Sequence, residues 1–490
     1  MNRTIYPDNQ NMADNFLHGV EVLNIDDGAR PLQTASTSVV GIVGTAPRAD
    51  ASVFPLNTPV MVAGSRSKAA KLLSVAGDDD GTLPSALDTI FDQAGAAVIV
   101  VRVAEGQDDT ATRANVIGGA NPETGAYEGV HALLAAQSVT GFKPRILLAP
   151  GFTHQRVQGG VTGVTLSNQG AGYTVAPSVS FTGGGAGSGA LATAVLGTGA
   201  NAGRVIAIMV TNPGRGYTSA PAVVLTGGTP TTPAVAAASI GNTANPVVAE
   251  LIGIADRMRA TIMADGPSTN DEDAISYAGD FGSKRVYLVD PRSLKTGSDG
   301  TTVPAWSSAV AAGLLVKSDN ERGWWWSPSN QTVNGIIGTE RAIDFAMGDY
   351  TSRANLLNEQ NVATIIRQNG FRLWGNRTLS DDPKWQFLSV VRTADIIADT
   401  LQEGHLWAVD RGITKNYVED VREGVLAKLR QWTALGAILG GDCWFDPDLN
   451  TAESIANGQV FWDFDFTPVY NAEHLTFRMH LTNDYVSEIY

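Results

Sequence analysis

A chain of 490 residues, 43% hydrophobic and 17% charged, has the composition of a globular protein with room for roughly two to four domains. Its formal net charge of −15 excludes a general nucleic-acid binder, which relies on Lys and Arg against phosphate. One cysteine, Cys443, excludes an intrachain disulfide framework and suits a reducing compartment, and no run of about 18 apolar residues is present to span a membrane.

The polar opening, Met1 to Asn15, lacks the apolar core of a signal peptide and is expected to be a flexible lead of a soluble chain. HGVEVLNI (His18 to Ile25) is the first strand candidate, and DDGARP after it is a turn. VVGIVGT (Val39 to Thr45) and TPVMVAG (Thr58 to Gly64) read as further strands. SKAAKLLSVAG and LPSALDTIFDQAG have helical spacing. AAVIVVRV (Ala96 to Val103) is a near-continuous β-branched run, the pattern of a strand covered on both faces, and RILLAP and RVYLVDP resemble it. Helix candidates such as PVVAELIGIADRMRATIMADG and DEDAISYAGDFG lie between them. Strands alternating with helices predict a mixed α/β fold around a largely parallel sheet.

From Gly159 to Ala244 the composition shifts to Gly, Ala, Thr and Val, with few charges. Val164–Gly184 and Ile208–Gly228 are two copies of one pattern: Gly172 matches Gly216, Tyr173 matches Tyr217 and Pro177 matches Pro221. Short β-rich runs between Gly and Pro turns predict an all-β module of two similar units, inserted in the α/β domain and exposed.

Beyond it, PAWSSAVAAGLLVKSDNE is a helix candidate, and Trp324, Trp325 and Trp326 are expected to anchor a loop over the core or at a subunit contact. FRLWGNRTL reads as a strand, and helices are predicted around Phe387–Ala408 and Tyr417–Leu439. The second carries Val418, Val421, Val425, Leu429, Trp432 and Leu435 at helical spacing. Near the end, Val460, Trp462, Phe464 and Phe466 alternate with Phe461, Asp463 and Asp465. Leu475, Phe477, Met479 and Leu481 alternate with polar residues in the same way. These runs predict an antiparallel hairpin followed by the tail DYVSEIY. Two strands alone are marginal and leave open edges, so either the same chain or a partner must complete the sheet.

Catalytic, cofactor-binding and metal-binding residues are not expected. No Gly-Lys dipeptide is present for a phosphate loop, and there is no GxSxG elbow. GIVGTAP lacks the third glycine of a dinucleotide turn, and the six histidines are scattered without an HExxH pattern. Asp442, Asp446 and Asp448 lack the loop glycine and bidentate Glu of a calcium cage and read as a solvated turn. An α/β enzyme with a β insertion, or a glycan- or receptor-binding module in 159–244, remain as alternative classes.

Two segments carry a resemblance. One is FLHGVEVLNIDDGARPLQTASTSVVGIVGTAP with FPLNTPVMVAG. The other is NVATIIRQNGFRLWGNRTLSDDPKWQFLSVVRTADIIADTL with the closing NAEHLTFRMHLTNDYV. In these the chain resembles the contractile-tail sheath proteins of tailed bacteriophages and phage-tail-like bacteriocins. The resemblance implies a virion structural protein, assembled in the host bacterial cytoplasm, that needs no cofactor. Its partners would be other copies of itself in a helical stack of hexameric rings, the tail tube protein, and the baseplate and tail terminator proteins, without direct nucleic-acid contact or membrane insertion. The implied division is an inner domain built from both termini, with an N-terminal arm and its first strand in 1–27 and its C-terminal part in 361–482, a middle α/β domain (28–158 with 245–360), the inserted module (159–244) and a C-terminal arm (483–490). Strand exchange between subunits is expected to involve Val20, Val22, Ile25, Val460, Trp462, Phe464, Leu475, Phe477, Met479, Leu481, Tyr485, Val486 and Ile489. Glu419, Arg422, Glu423, Lys428 and Arg430 are the expected tube contacts.

Overall fold

The computed structural model describes residues 32, 36–64, 66–72, 81–297 and 299–485. The expected lead, the His18–Ile25 strand, and Val486 and Ile489 lie outside the described residues.

In chain order, β1 (Val39–Thr45) and β2 (Val60–Ala63) precede α1 (Leu83–Gln93), β3 (Ala97–Val103) and β4 (Ile146–Leu148). The Gly-rich insertion forms β5 (Val157–Asn168), β6 (Ser178–Thr182), β7 (Ser188–Leu196), β8 (Val205–Arg215), β9 (Ala222–Thr226) and β10 (Val235–Thr243). The chain returns through α2 (Pro246–Met258), β11 (Thr261–Asp265), β12 (Val286–Val289), α3 (Ser307–Glu321), β13 (Val362–Arg367) and β14 (Phe371–Trp374). It continues into α4 (Leu388–Gly404), α5 (Lys415–Ala434), β15 (Ile438–Phe445) and β16 (Trp462–Pro468).

Eight strands form one sheet in the order β14-β13-β12-β11-β4-β1-β3-β2. The inner pairings are parallel, and β2 and β14 close the two edges antiparallel. Strand side chains alternate between faces, so Val40, Ile42, Val98 and Val100 meet α1 and α3, while Val43, Val101 and Val103 join α2 in a second layer. That double cover explains the unbroken apolar runs.

The expected domain boundary at 360 is corrected. β13 pairs with β12, and Ala363, Ile365 and Leu373 belong to the same core as α1 and α3. The α/β unit therefore runs on to Leu379, whose N–H donates to the Val286 carbonyl. A short helix, Arg353–Glu359, precedes β13, and the chain turns between them at Asn361, in left-handed backbone (φ 61).

The insertion is a six-stranded antiparallel sheet ordered β8-β7-β6-β9-β10-β5. Exchanging β5 for β8, β6 for β9 and β7 for β10 reverses that order onto itself, so the sequence repeat becomes a two-fold arrangement in which each unit's first strand pairs with the other's last. Matched hydrogen bonds follow the repeat: Tyr173 N–H donates to the Gly203 carbonyl as Tyr217 N–H donates to that of Gly159. Each tyrosine is buried, and its hydroxyl accepts from a backbone N–H, that of Ala234 or of Ala190. Where the unit joins its host, Val157 pairs with Thr243, and fully buried Asn245 ties the junction. Its Nδ2 donates to the carbonyls of Phe152 and Gln155 (both 2.8 Å), and its Oδ1 caps α2 at Val247 and Val248.

In the C-terminal unit, α5 stops at Ala434 and not near Leu439, because Gly436 takes left-handed backbone (φ 76) and the chain turns into β15. The predicted stripe Val421, Val425, Leu429 and Trp432 is buried; Leu435, past the helix end, is exposed. Trp324 and Trp325 pack edge-to-face, and Trp324 meets Trp432, so this pair anchors a loop on the C-terminal core. Trp326 stays half exposed beside Arg322.

One face of α4 is joined to the α/β unit by charge. Asp399 meets Lys143 (3.2 Å), Arg259 (2.7 Å) and Arg145, Asp395 meets Arg285, and Arg392 reaches back to Asp319 of α3. Burial pushes Lys143 down to about 8 and Asp395 above the usual carboxylate range, the mark of charges held away from water by their partners.

Candidate interaction surfaces

The expected hairpin between the two alternating runs is not formed. β16 pairs instead with β15, from Phe445↔Trp462 to Ile438↔Pro468. On β16 the alternation does mark an inner face, where Trp462 and Phe466 pack against Val425, Leu429, Trp432 and Cys443. Phe464 is 39% exposed, and Val460 precedes the strand.

The second run pairs with nothing among the described residues. Leu475, Phe477, Met479 and Leu481 are 63%, 91%, 95% and 98% exposed, and Tyr485 is 70% exposed. Residues 469–483 have no regular secondary structure and are exposed from 472 on, so the tail stands off the subunit well before the expected boundary at 483. Four large apolar side chains standing in water at alternate positions of one short segment are the mark of a surface made for a partner.

Beside this tail, β15 and β16 form a two-stranded sheet with no third strand among the described residues. Between that sheet, the end of α4 and the start of α5 lies an apolar cavity of about 330 Å³, lined by residues including Leu401, Tyr417, Val421, Trp462 and Phe464. His405 Nε2 and Trp462 Nε1 at this site are buried without hydrogen-bond partners. With His405 Nδ1 donating to the Leu401 carbonyl, Nε2 is an acceptor and Trp462 Nε1 a donor, so the trough suits a polypeptide segment, which supplies side chains, main-chain N–H groups and carbonyls. The helix–strand pairing that builds it gave no signal in the sequence, since β15 reads as a continuation of α5.

Of the expected tube contacts, Glu419, Glu423 and Arg430 are exposed on α5, with Arg430 and Glu423 3.5 Å apart. Arg422 is half buried and donates to the Cys443 carbonyl. Lys428 is corrected: it is 5% exposed, bonded to Gln431 and placed over the Trp432 ring. Helical phase puts it beside the core, and its apolar stem follows that face.

An α/β enzyme would carry its site at the carboxyl ends of the parallel strands. There Asp265 ends β11 and Asp290 follows β12, both fully buried. Ser308 donates its N–H and hydroxyl to Asp265 (2.8 and 2.6 Å), while Arg341 bridges Asp290 and Asp271. Burial pushes Asp265 up to about 6 despite the Ser308 bonds. Asp265 thereby holds the start of α3, and Asp290 with Asp271 holds the loop that carries Arg341. The Asp446 turn is likewise local: its Oδ1 accepts from the N–H groups of Asp448 and Leu449.

Residues 37–103 match the tail sheath protein Gp18 domain III N-terminal region, 232–379 the phage tail sheath protein central domain, and 380–482 the phage tail sheath C-terminal domain. The chain is 33% identical to the tail sheath protein of Escherichia phage P2 over 485 residues, covering 98% of each chain. It is 30% identical to the major tail sheath protein of Serratia phage KSP20 over 479 residues, covering 97% of each. Its fold is similar to that in the anti-feeding prophage helical sheath in its contracted state, with a TM-score of 0.58, 16% identity, and 96% and 100% of the two chains covered.

Proposed function

This chain belongs to the phage tail sheath family, and from that premise we propose that it is the structural subunit of a contractile tail sheath held together by donated strands. Subunits stack as hexameric rings around a tail tube, between a baseplate and a terminator, and pass from a metastable extended lattice to a contracted one that drives the tube through a cell envelope. Assembly takes place in the host cytoplasm, and no catalytic step is needed. The exposed charges of α5, Glu419, Glu423 and Arg430, are the proposed tube contact. The two-fold β unit of 157–243 is an outward decoration.

The observation that carries this reading is the tail whose apolar face is bare beside an incomplete two-stranded sheet. Burying Leu475, Phe477, Met479 and Leu481 in a neighbour contributes about 1.5–3 kcal/mol each. Ordering the seven residues of the strand costs about 1–2 kcal/mol apiece. The two nearly cancel, so the ladder hydrogen bonds and the repetition of the link around a ring decide the outcome. Such a link is heterologous: where its rotation closes it makes a ring, and where it does not it joins successive rings into a helical stack.

Removing residues 475–490 should leave a folded subunit with unchanged circular dichroism that forms no tubes by negative-stain microscopy, under conditions where the full chain does. Regular tubes from the truncated chain would rule out strand donation by this tail.

A further inference from the structure

We propose that Arg377 and Glu473 are positioning residues that fix the point and heading at which the tail leaves the subunit; this rests on the strand-donation reading above. The tail is not free along its whole length. Tyr470 meets the Phe387 ring (6.3 Å between centroids), Asn471 Nδ2 donates to Ser389 Oγ (2.8 Å), and His474 lies edge-on to Tyr350 (6.4 Å). Among these, the Arg377 guanidinium grips Glu473 as a fork, with Nε 2.8 and 3.0 Å from the two carboxylate oxygens and Nη2 on Oε2. Two residues later the chain stands in water, with Leu475 already 63% exposed. The step from held to unheld falls at one place.

Arg377 suits this task because its backbone is a rigid post. It forms an isolated bridge with Phe387, and the next residue, Thr378, is fully buried and donates its N–H to the Gln386 carbonyl (2.7 Å). Leu379 then bonds to Val286 at the start of β12. The fork therefore ties the root of the tail to the eight-stranded sheet, and not to the small β15–β16 sheet from which the tail emerges. A load on a donated strand would pass through Glu473 into the largest core of the subunit. A planar guanidinium facing a carboxylate restricts direction as well as distance, which a single contact does not. Holding the root shrinks the volume the free end searches and lowers the entropy lost when it docks.

The test uses the full chain and reads the critical concentration for tube formation by light scattering and microscopy. Glu473→Gln, Glu473→Arg and Arg377→Glu are compared with the swap Arg377→Glu/Glu473→Arg and with the chain ending at residue 474. A surface pair is worth up to about 1 kcal/mol, so each single change should raise the critical concentration roughly fivefold, more for the reversals. Subunit melting should stay where it is, and the swap should return assembly to near the wild-type value. A merely structural role would move melting and gain nothing from the swap. Wild-type assembly by all three single variants, or no recovery in the swap, overturns the positioning role while the truncated chain's failure still supports strand donation. Assembly by the truncated chain overturns both.

Discussion

β3 and the tail carry the same kind of sequence and meet opposite conditions. Along β3, Val98, Ile99, Val100 and Val101 are fully buried, each side covered by helices of the same chain. Along the tail, Phe477, Met479 and Leu481 are more than nine-tenths exposed. The difference lies in topology. β3 sits between β1 and β2, so both its edges are paired within the subunit, whereas the tail pairs with no strand among the described residues. An apolar alternation therefore reports that a face is suited to burial; whether the subunit itself buries it depends on which strand edges and helices pack against it.

The largest effect that sharpens this contrast is a charge placed in β3. Val100→Asp buries an unpaired carboxylate and should destabilise the subunit by at least about 4 kcal/mol, seen as lost or much lowered thermal melting. A soluble variant that melts within a few degrees of wild type would mean that the interior of the sheet is far less closed than described.

A second, smaller effect separates the two regions by pH. Asp265 in the buried layer has its carboxyl raised from 3.8 to about 6 by burial. The folded state then holds this proton more tightly than the unfolded chain, so the stability from this group is fullest below 3.8 and declines as pH rises through 6. Asp265→Asn has no such loss. The stability of the variant relative to wild type should rise between pH 4 and pH 7, by on the order of 3 kcal/mol at most. A pH-independent difference in denaturant titrations would show that Asp265 is not desolvated as placed.

The smallest effect belongs to the tail. Phe477→Asp should change subunit melting by less than about 0.5 kcal/mol, the ordinary range for a surface site, while abolishing tubes. A large loss of subunit stability would mean that the tail folds back onto its own chain, and the contrast with β3 would disappear.

The parallel strands were legible because β-branched runs such as AAVIVVRV have few other uses, and the insertion because its repeat and composition announce it. The apolar tail was legible for the same reason. Its pairing was not: two alternating runs close in sequence read as a hairpin, yet β16 takes β15 as its partner. GAILGGDCWF hides that strand, since it follows a long helix without a proline and its two central glycines give no alternation. The end of the α/β unit was missed because β13 follows a helix with only two residues between them, Gln360 and Asn361. Lys428 was misplaced because composition names a charge but not the face of the helix that carries it.

The junction at Asn245 has a consequence for how such chains diversify. Val157 and Thr243 stand side by side, and Asn245 closes the gap between the strand that leaves and the helix that resumes. The host fold thus sees only two adjacent ends, whatever lies between them. A gene segment for residues 157–243 could be lost, lengthened or replaced by recombination without disturbing the registers on which the lattice depends. Selection on the inserted unit and selection on the host fold would then act on separate stretches of one gene. A chimera carrying an unrelated domain across the same two ends should melt and polymerise as the parent does, and a failure to fold would show that the junction is not the neutral seam it looks to be.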